Sequence, residues 1–127
     1  MPSQLKLTIS INAGAIDIDA SGTKGGNIRG EILRRVRWVR GGTVDRFDLR
    51  FERLDDADGA LAAAADWPFL ASHAQPRSAT VDEDAGTVVG AEQFAGRLAD
   101  PGVYKYSVTA YEGGHAYTLD PIIIIER

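Results

Sequence analysis

The chain contains no cysteine among its 127 residues. That absence removes disulfides, thiolate nucleophiles, iron–sulfur clusters and cysteine zinc sites. It also fits a reducing compartment, so a cytoplasmic location is expected. Imidazole and thioether metal ligands are scarce as well: there are two histidines, His73 and His115, and Met1 is the only methionine. Both histidines lie in polar, loop-like stretches, which predicts surface roles rather than a metal or acid–base site. Long hydrophobic runs are missing too. Runs such as Ile122 to Ile125 fall far short of the roughly 20 residues that cross a bilayer, so no membrane insertion is expected. Met1-Pro2-Ser3-Gln4-Leu5-Lys6 has no charged stretch followed by an apolar run, and no signal peptide is expected. No G-x-S-x-G elbow, P-loop or dinucleotide fingerprint occurs, and no cofactor is implied.

What is present is the composition of one globular domain spanning residues 1–127. Hydrophobic residues make up 44% and charged residues 25%, enough for a real core without staples. The net charge of −4 gives no general attraction to nucleic acid. Leu5-Lys6-Leu7-Thr8-Ile9-Ser10-Ile11 alternates strictly, the period of a half-buried strand. Asn12-Ala13-Gly14 breaks the pattern, and Ala15 to Asp19 resumes it. Ile32 to Arg40 and Arg46 to Leu54 alternate as well, joined through Gly41-Gly42-Thr43, and predict a hairpin. In that register Trp38 faces Phe47, Val36 faces Leu49, and Arg37 faces Asp48 on the outer side.

The stretch at about 55–86 predicts a long irregular connection. Leu61 to Ala65 could form one helical turn, and Trp67-Pro68-Phe69 reads as an apolar plug beneath a loop. Thr87 to Val89 and Gln93 to Leu98 read as short strands. Val103 to Tyr111 and Ala116 to Glu126 read as longer ones around Glu112-Gly113-Gly114-His115. Continuous apolarity at Ile122 to Ile125 predicts a strand interior to its sheet and buried on both faces. About seven or eight strands punctuated by turns predict an all-β Greek-key sandwich.

Asp100-Pro101-Gly102-Val103-Tyr104-Lys105-Tyr106 resembles the D-x-G-x-Y-x-C stretch of immunoglobulin-like domains. That resemblance would make Tyr104 the corner tyrosine, put Tyr106 at the disulfide position, and make Trp38 the buried core tryptophan. The same segment, with the earlier Trp38 strand and Phe47-Asp48-Leu49-Arg50-Phe51, is similar to cupredoxins. The cupredoxin resemblance implies copper held by two histidines, a cysteine and an axial methionine. Carried over by position, these ligands fall on Phe47, Val108 and Tyr111, none of which binds copper. The resemblance therefore implies the sandwich without electron transfer.

Other chemistry is weakly supported. Asp55-Asp56-Ala57-Asp58-Gly59 has the look of a calcium loop, but Leu54 and Ala65 occupy positions where an EF-hand needs oxygen ligands. A different calcium site with Asp82-Glu83-Asp84 stays open. Asp17 and Asp19 share a strand face opposite Ile16 and Ile18 and read as the wet side rather than a glycosidase pair. Charge is unevenly spread. Residues 29–53 hold eight arginines against four acids, a balance of +4 in a chain of −4. Arg35, Arg37, Arg46 and Arg50 form the candidate interaction face, either as a cross-strand ion-pair ladder or as a dock for an acidic partner or another copy. The expected function is a non-enzymatic binding or assembly module with a protein partner or itself, not nucleic acid. The alternative is a small-ligand or carbohydrate module stacking its ligand on Trp67, Phe69 and Tyr111.

Overall fold

The computed structural model describes residues 4–20, 23–24, 26–54, 66–99 and 101–126. The alternating segments become strands: β1 (Leu5–Asn12), β2 (Ala15–Ala20), β3 (Thr23–Lys24), β4 (Ile28–Glu31), β5 (Arg35–Arg40) and β6 (Arg46–Arg53). These are followed by β7 (Phe69–Gln75), β8 (Thr80–Asp82), β9 (Thr87–Ala91), β10 (Gln93–Leu98), β11 (Gly102–Glu112), β12 (His115–Leu119) and β13 (Ile122–Glu126). They form two sheets. The first runs β3-β2-β1-β5-β10-β7, and the second runs β4-β13-β11-β6-β9-β8 with β12 beside β11. The all-β sandwich is therefore as expected, cut into more and shorter strands than the sequence suggested.

Two tight hairpins follow from local chemistry. Ala13 and Gly14 both have positive φ, 53° and 80°, between the paired Asn12 and Ala15. Gly113 and Gly114 do the same at 55° and 88° between Glu112 and His115. Positive φ at both central residues matches the right-handed twist of the flanking strands.

The predicted β5–β6 hairpin does not form. β5 pairs with β1 and β10, placing Trp38 beside Leu7 and Phe94. β6 belongs to the other sheet, where Phe47 lies beside Ala110 and Ala91. The connection through Gly41 is an arch between sheets, so Arg37 and Asp48 do not face each other. A hairpin and an arch bury the same alternate residues, and alternation alone cannot choose between them.

Two other expectations change. Residues 71–86 are not mostly loop, because β7 pairs with β10 and β8 pairs with β9. β7 is an edge strand with a register shift opposite Gly96 and Leu98, and it follows the inward Phe69 only with the small Ser72 and Ala74. That weakens its alternation. The last strand is split at Asp120-Pro121, and β13 lies between β4 and β11, interior as expected. It alternates, however: Ile123 and Ile125 are buried while Ile122 is 40% exposed. The possible helical turn at 61–65 lies outside the described residues.

Between the sheets sits an aromatic core of Trp38, Phe51, Trp67, Phe69, Phe94 and Tyr106, with ring centroids 5.1 to 6.3 Å apart. Most pairs meet edge to face, the arrangement favoured by the ring quadrupole. The Trp38 indole N–H donates to the Tyr106 hydroxyl at 3.3 Å, and that hydroxyl donates to the Gly26 carbonyl. Tyr106, at the disulfide position of the immunoglobulin resemblance, thus ties β11 to β5 and to the segment before β4. Tyr104, the expected corner residue, is buried, and its hydroxyl accepts a bond of 2.9 Å from Arg53.

Removing the Tyr106 hydroxyl as Tyr106→Phe leaves a buried indole N–H and a carbonyl without this partner. The expected cost is about 1–3 kcal/mol in urea unfolding. Burial raises the Tyr106 pKa well above its ordinary value of 10.0, with the Trp38 hydrogen bond opposing. Above that pH the unfolded state has lost a proton that the folded state keeps, so native stability falls as pH rises. The fall should be shallower in Tyr106→Phe, and an equal slope in both proteins would refute the assignment.

Candidate interaction surface

In the first sheet, β1, β5 and β10 each turn one side to the core and one outward. On β5, Val36 and Trp38 are buried, so Arg35 and Arg37 point away. On β1, Leu5 and Leu7 are buried and Lys6 is outward; on β10, Phe94 and Leu98 are buried and Arg97 is outward. Register then assembles a basic surface. Lys6 lies directly opposite Arg37, and Arg97 directly opposite Arg35. Ala95, beside Arg37, is opposite His73 on β7. Among the described residues, Lys6, Arg35, Arg37 and Arg97 enter no ion pair. The Nε of Arg37 is shut off from solvent without a hydrogen-bond partner. Like charges directly opposite each other destabilise a sheet, so this arrangement is not explained by folding.

The same face changes sign at its other side. Asp19 pairs with Thr8 and Asp17 with Ser10, both aspartates exposed on the outer side of β2. The reading of these two as the wet side of their strand agrees with the burial of Ile18 beneath them.

The four arginines singled out in the sequence therefore do not share a face. Arg46 and Arg50 lie on the outer side of the second sheet, across the sandwich from Arg35 and Arg37. Arg46 is engaged there, its guanidinium 4.3 Å from the Tyr111 ring centroid. The Tyr111 hydroxyl donates to Asp48 at 2.7 Å, and Asp48 also accepts the Gly90 N–H at 2.8 Å. This hydrogen bond to Asp48, followed by burial, raises the Tyr111 pKa, while Arg46 lowers it. Arg50 is exposed, opposite Ser107 and Thr87. The ion pairs Arg29–Glu126, Arg40–Glu92 and Lys105–Asp120 are exposed and contribute little stability.

The proposed stacking set also separates. Trp67 and Phe69 are only 5% and 6% exposed and belong to the aromatic core, so neither offers a ring to a ligand. Their burial agrees with the reading of Trp67-Pro68-Phe69 as an apolar plug. Tyr111 is half-buried and held by Asp48 and Arg46.

The positions carried over from copper ligands do not converge. Phe47 and Val108 point into the core, whereas Tyr111 points outward from β11. Among the described residues, no group of three or more histidine, aspartate and glutamate side chains could hold a metal ion. Asp55, Asp56 and Asp58 of the calcium-like segment lie outside the described residues.

Lys6 and Arg97 complete the basic surface but were not singled out from the sequence. Their outward direction was legible from the alternation of Leu5-Lys6-Leu7 and of Phe94 to Leu98. Their proximity to Arg35 and Arg37 depends on strand order.

No family model matches the chain, and no curated protein matches it. Solved structures give weak likenesses. The McoA multicopper oxidase of Aquifex aeolicus is similar over 96% of this chain at 9% identity and a TM-score of 0.38. Its 2F4 variant is similar over 95% at 10% identity and a TM-score of 0.37. The chain spans 29% of the length of either enzyme. Among the described residues, no helix is long and apolar enough to cross a membrane.

Proposed function

We propose that this chain is a non-enzymatic β-sandwich module, cupredoxin-like in its fold, that docks an acidic protein partner on the outer face of its first sheet. The observation that carries the reading is the block of Lys6, Arg35, Arg37 and Arg97, with like charges opposed across two strand pairs and no ion pair to any of the four among the described residues. A carboxylate-bearing surface laid on this face supplies the missing counter-charge. Support for the cupredoxin-like fold comes from topology: β1 runs parallel to β5, and β13 parallel to β4. Immunoglobulin sheets are antiparallel.

One observation favours a second copy as the partner. The face carries both signs, with Asp17 and Asp19 at the β2 side. A face with two opposite patches is self-complementary about a two-fold axis bisecting them.

Light scattering across a salt series, together with binding to poly-L-glutamate, tests the proposal. Binding at low salt should weaken as the Debye length shrinks to about 8 Å at physiological ionic strength. Arg35→Glu combined with Arg37→Glu should abolish it. Arg77→Glu, in the exposed turn after β7, should leave it nearly intact. A salt-sensitive dimer lost in the double variant identifies the second copy as occupant. Equal poly-glutamate binding by the double variant and Arg77→Glu would overturn the docking face.

A further inference from the structure

At the end of the sandwich where β4 turns into β5, the basic face runs into a cleft of about 1030 Å³. Its walls include Arg34, Arg35 and Arg97, the paired Arg29 and Glu126, and Glu31. A shallower extension of about 490 Å³ continues past Arg35 and Arg97 to His73 on β7. Arg35 and Arg97, the like-charged pair of the β5–β10 register, are common to both spaces.

The turn that builds the wall is tightly held. The N–H of Ile32 donates to Glu126 in the second sheet, and that of Leu33 donates to Leu98 in the first, at 3.2 and 2.7 Å. The Leu98 N–H returns to the Arg34 carbonyl at 3.0 Å. Leu33 sits at φ 73°, a left-handed conformation that costs a leucine about 1–2 kcal/mol. Leu33 is 54% exposed, so burial offsets only part of the cost. The strained turn sets Arg34 and Arg35 at the cleft, and the Nε of Arg34 is buried there without a hydrogen-bond partner. Backbone strain of this kind persists where the surrounding structure holds it, and it concentrates at ligand sites.

Charge sets the class of ligand. Arg29, Arg34, Arg35 and Arg97 face Glu31 and Glu126, leaving a surplus of two positive charges. Arg29 is already satisfied by Glu126 at 2.6 Å. Two arginines at directly opposed positions of neighbouring strands line the same cleft, and each guanidinium fork can grip two oxygens of a tetrahedral oxyanion. We propose that this cleft binds a dianionic phosphate-type group, held between Arg35 and Arg97 with Arg34 as the third cation. The proposal deepens the docking reading by naming the anion at one end of the basic face.

The test is titration of the intact chain with inorganic phosphate at constant ionic strength, followed by calorimetry and by thermal unfolding. Saturable binding and a rise in Tm beyond that of matched chloride are expected. Arg97→Gln and Arg35→Gln should each weaken binding by about tenfold or more, while Arg77→Gln should not. A phosphoserine peptide that binds more tightly than free phosphate identifies a phosphorylated partner as the source. Equal affinity identifies the free anion. No saturable binding, equal loss in Arg77→Gln, or preference for the dicarboxylate glutarate overturns the proposal. Salt-sensitive poly-glutamate binding that survives such a failure would leave the docking face standing without this cleft.

Discussion

Replacing Trp38 with alanine should lower the unfolding free energy by about 3–5 kcal/mol, among the largest losses a core substitution produces. Trp38 is fully buried, and its ring centroid lies 5.9 Å from Phe51, Phe69 and Phe94 and 5.4 Å from Tyr106. Those rings come from strands of both sheets. The cavity left by the indole would therefore open at the contact between the layers, where neither sheet can close it without moving as a whole. The substitution also removes the donor to the Tyr106 hydroxyl. With total stability of a domain near 5–15 kcal/mol, such a loss leaves little margin at physiological temperature. Urea unfolding followed by circular dichroism measures it. A drop below about 1 kcal/mol would mean that the two sheets do not share this core.

Gly86→Ala is expected to cost about 2–4 kcal/mol, combining left-handed strain with a backbone collision. Gly86 closes the turn between β8 and β9 at φ 71°. A Cβ there would lie 2.7 Å from the Phe51 carbonyl oxygen, backbone that cannot swing aside. Retreat is costly as well, because the Gly86 carbonyl accepts the Phe51 N–H at 2.7 Å, and Phe51 is part of the aromatic core. Gly113→Ala is the control. Its φ is 55°, but a Cβ meets nothing within 4 Å, so it should lose only about 1–2 kcal/mol. Similar losses at both sites, read from urea midpoints, would remove the steric half of the argument.

The structure also changes how the charge pattern is to be read. Eight arginines within residues 29–53 suggested one face. The arch at Gly41 sends β5 and β6 into different sheets, which splits Arg35 and Arg37 from Arg46 and Arg50. The surface that results is smaller in arginines from that segment but stronger in concentration, because β1 and β10 add Lys6 and Arg97 from distant parts of the chain. Arg46 goes to packing against Tyr111 instead.

For the clearly alternating strands, the side that turns inward was determined by sequence alone. Alternation named Leu5, Leu7, Val36, Trp38, Phe47 and Leu49 as core, and all are buried. The Asn12 to Ala15 and Glu112 to His115 turns were equally legible, since Gly14, Gly113 and Gly114 readily adopt the positive φ that a two-residue connection requires, with Ala13 supplying the remaining position. These are local properties, encoded within a few residues by side-chain period and backbone sterics. Which strand lies beside which was decided only by the tertiary structure. Most consecutive strands here lie in opposite sheets, so partners are set by non-local pairing and by how the aromatic core fills between the layers. The basic face and the cleft at its end belong to that second category. Each side chain's direction is written locally, and their convergence is a consequence of strand order.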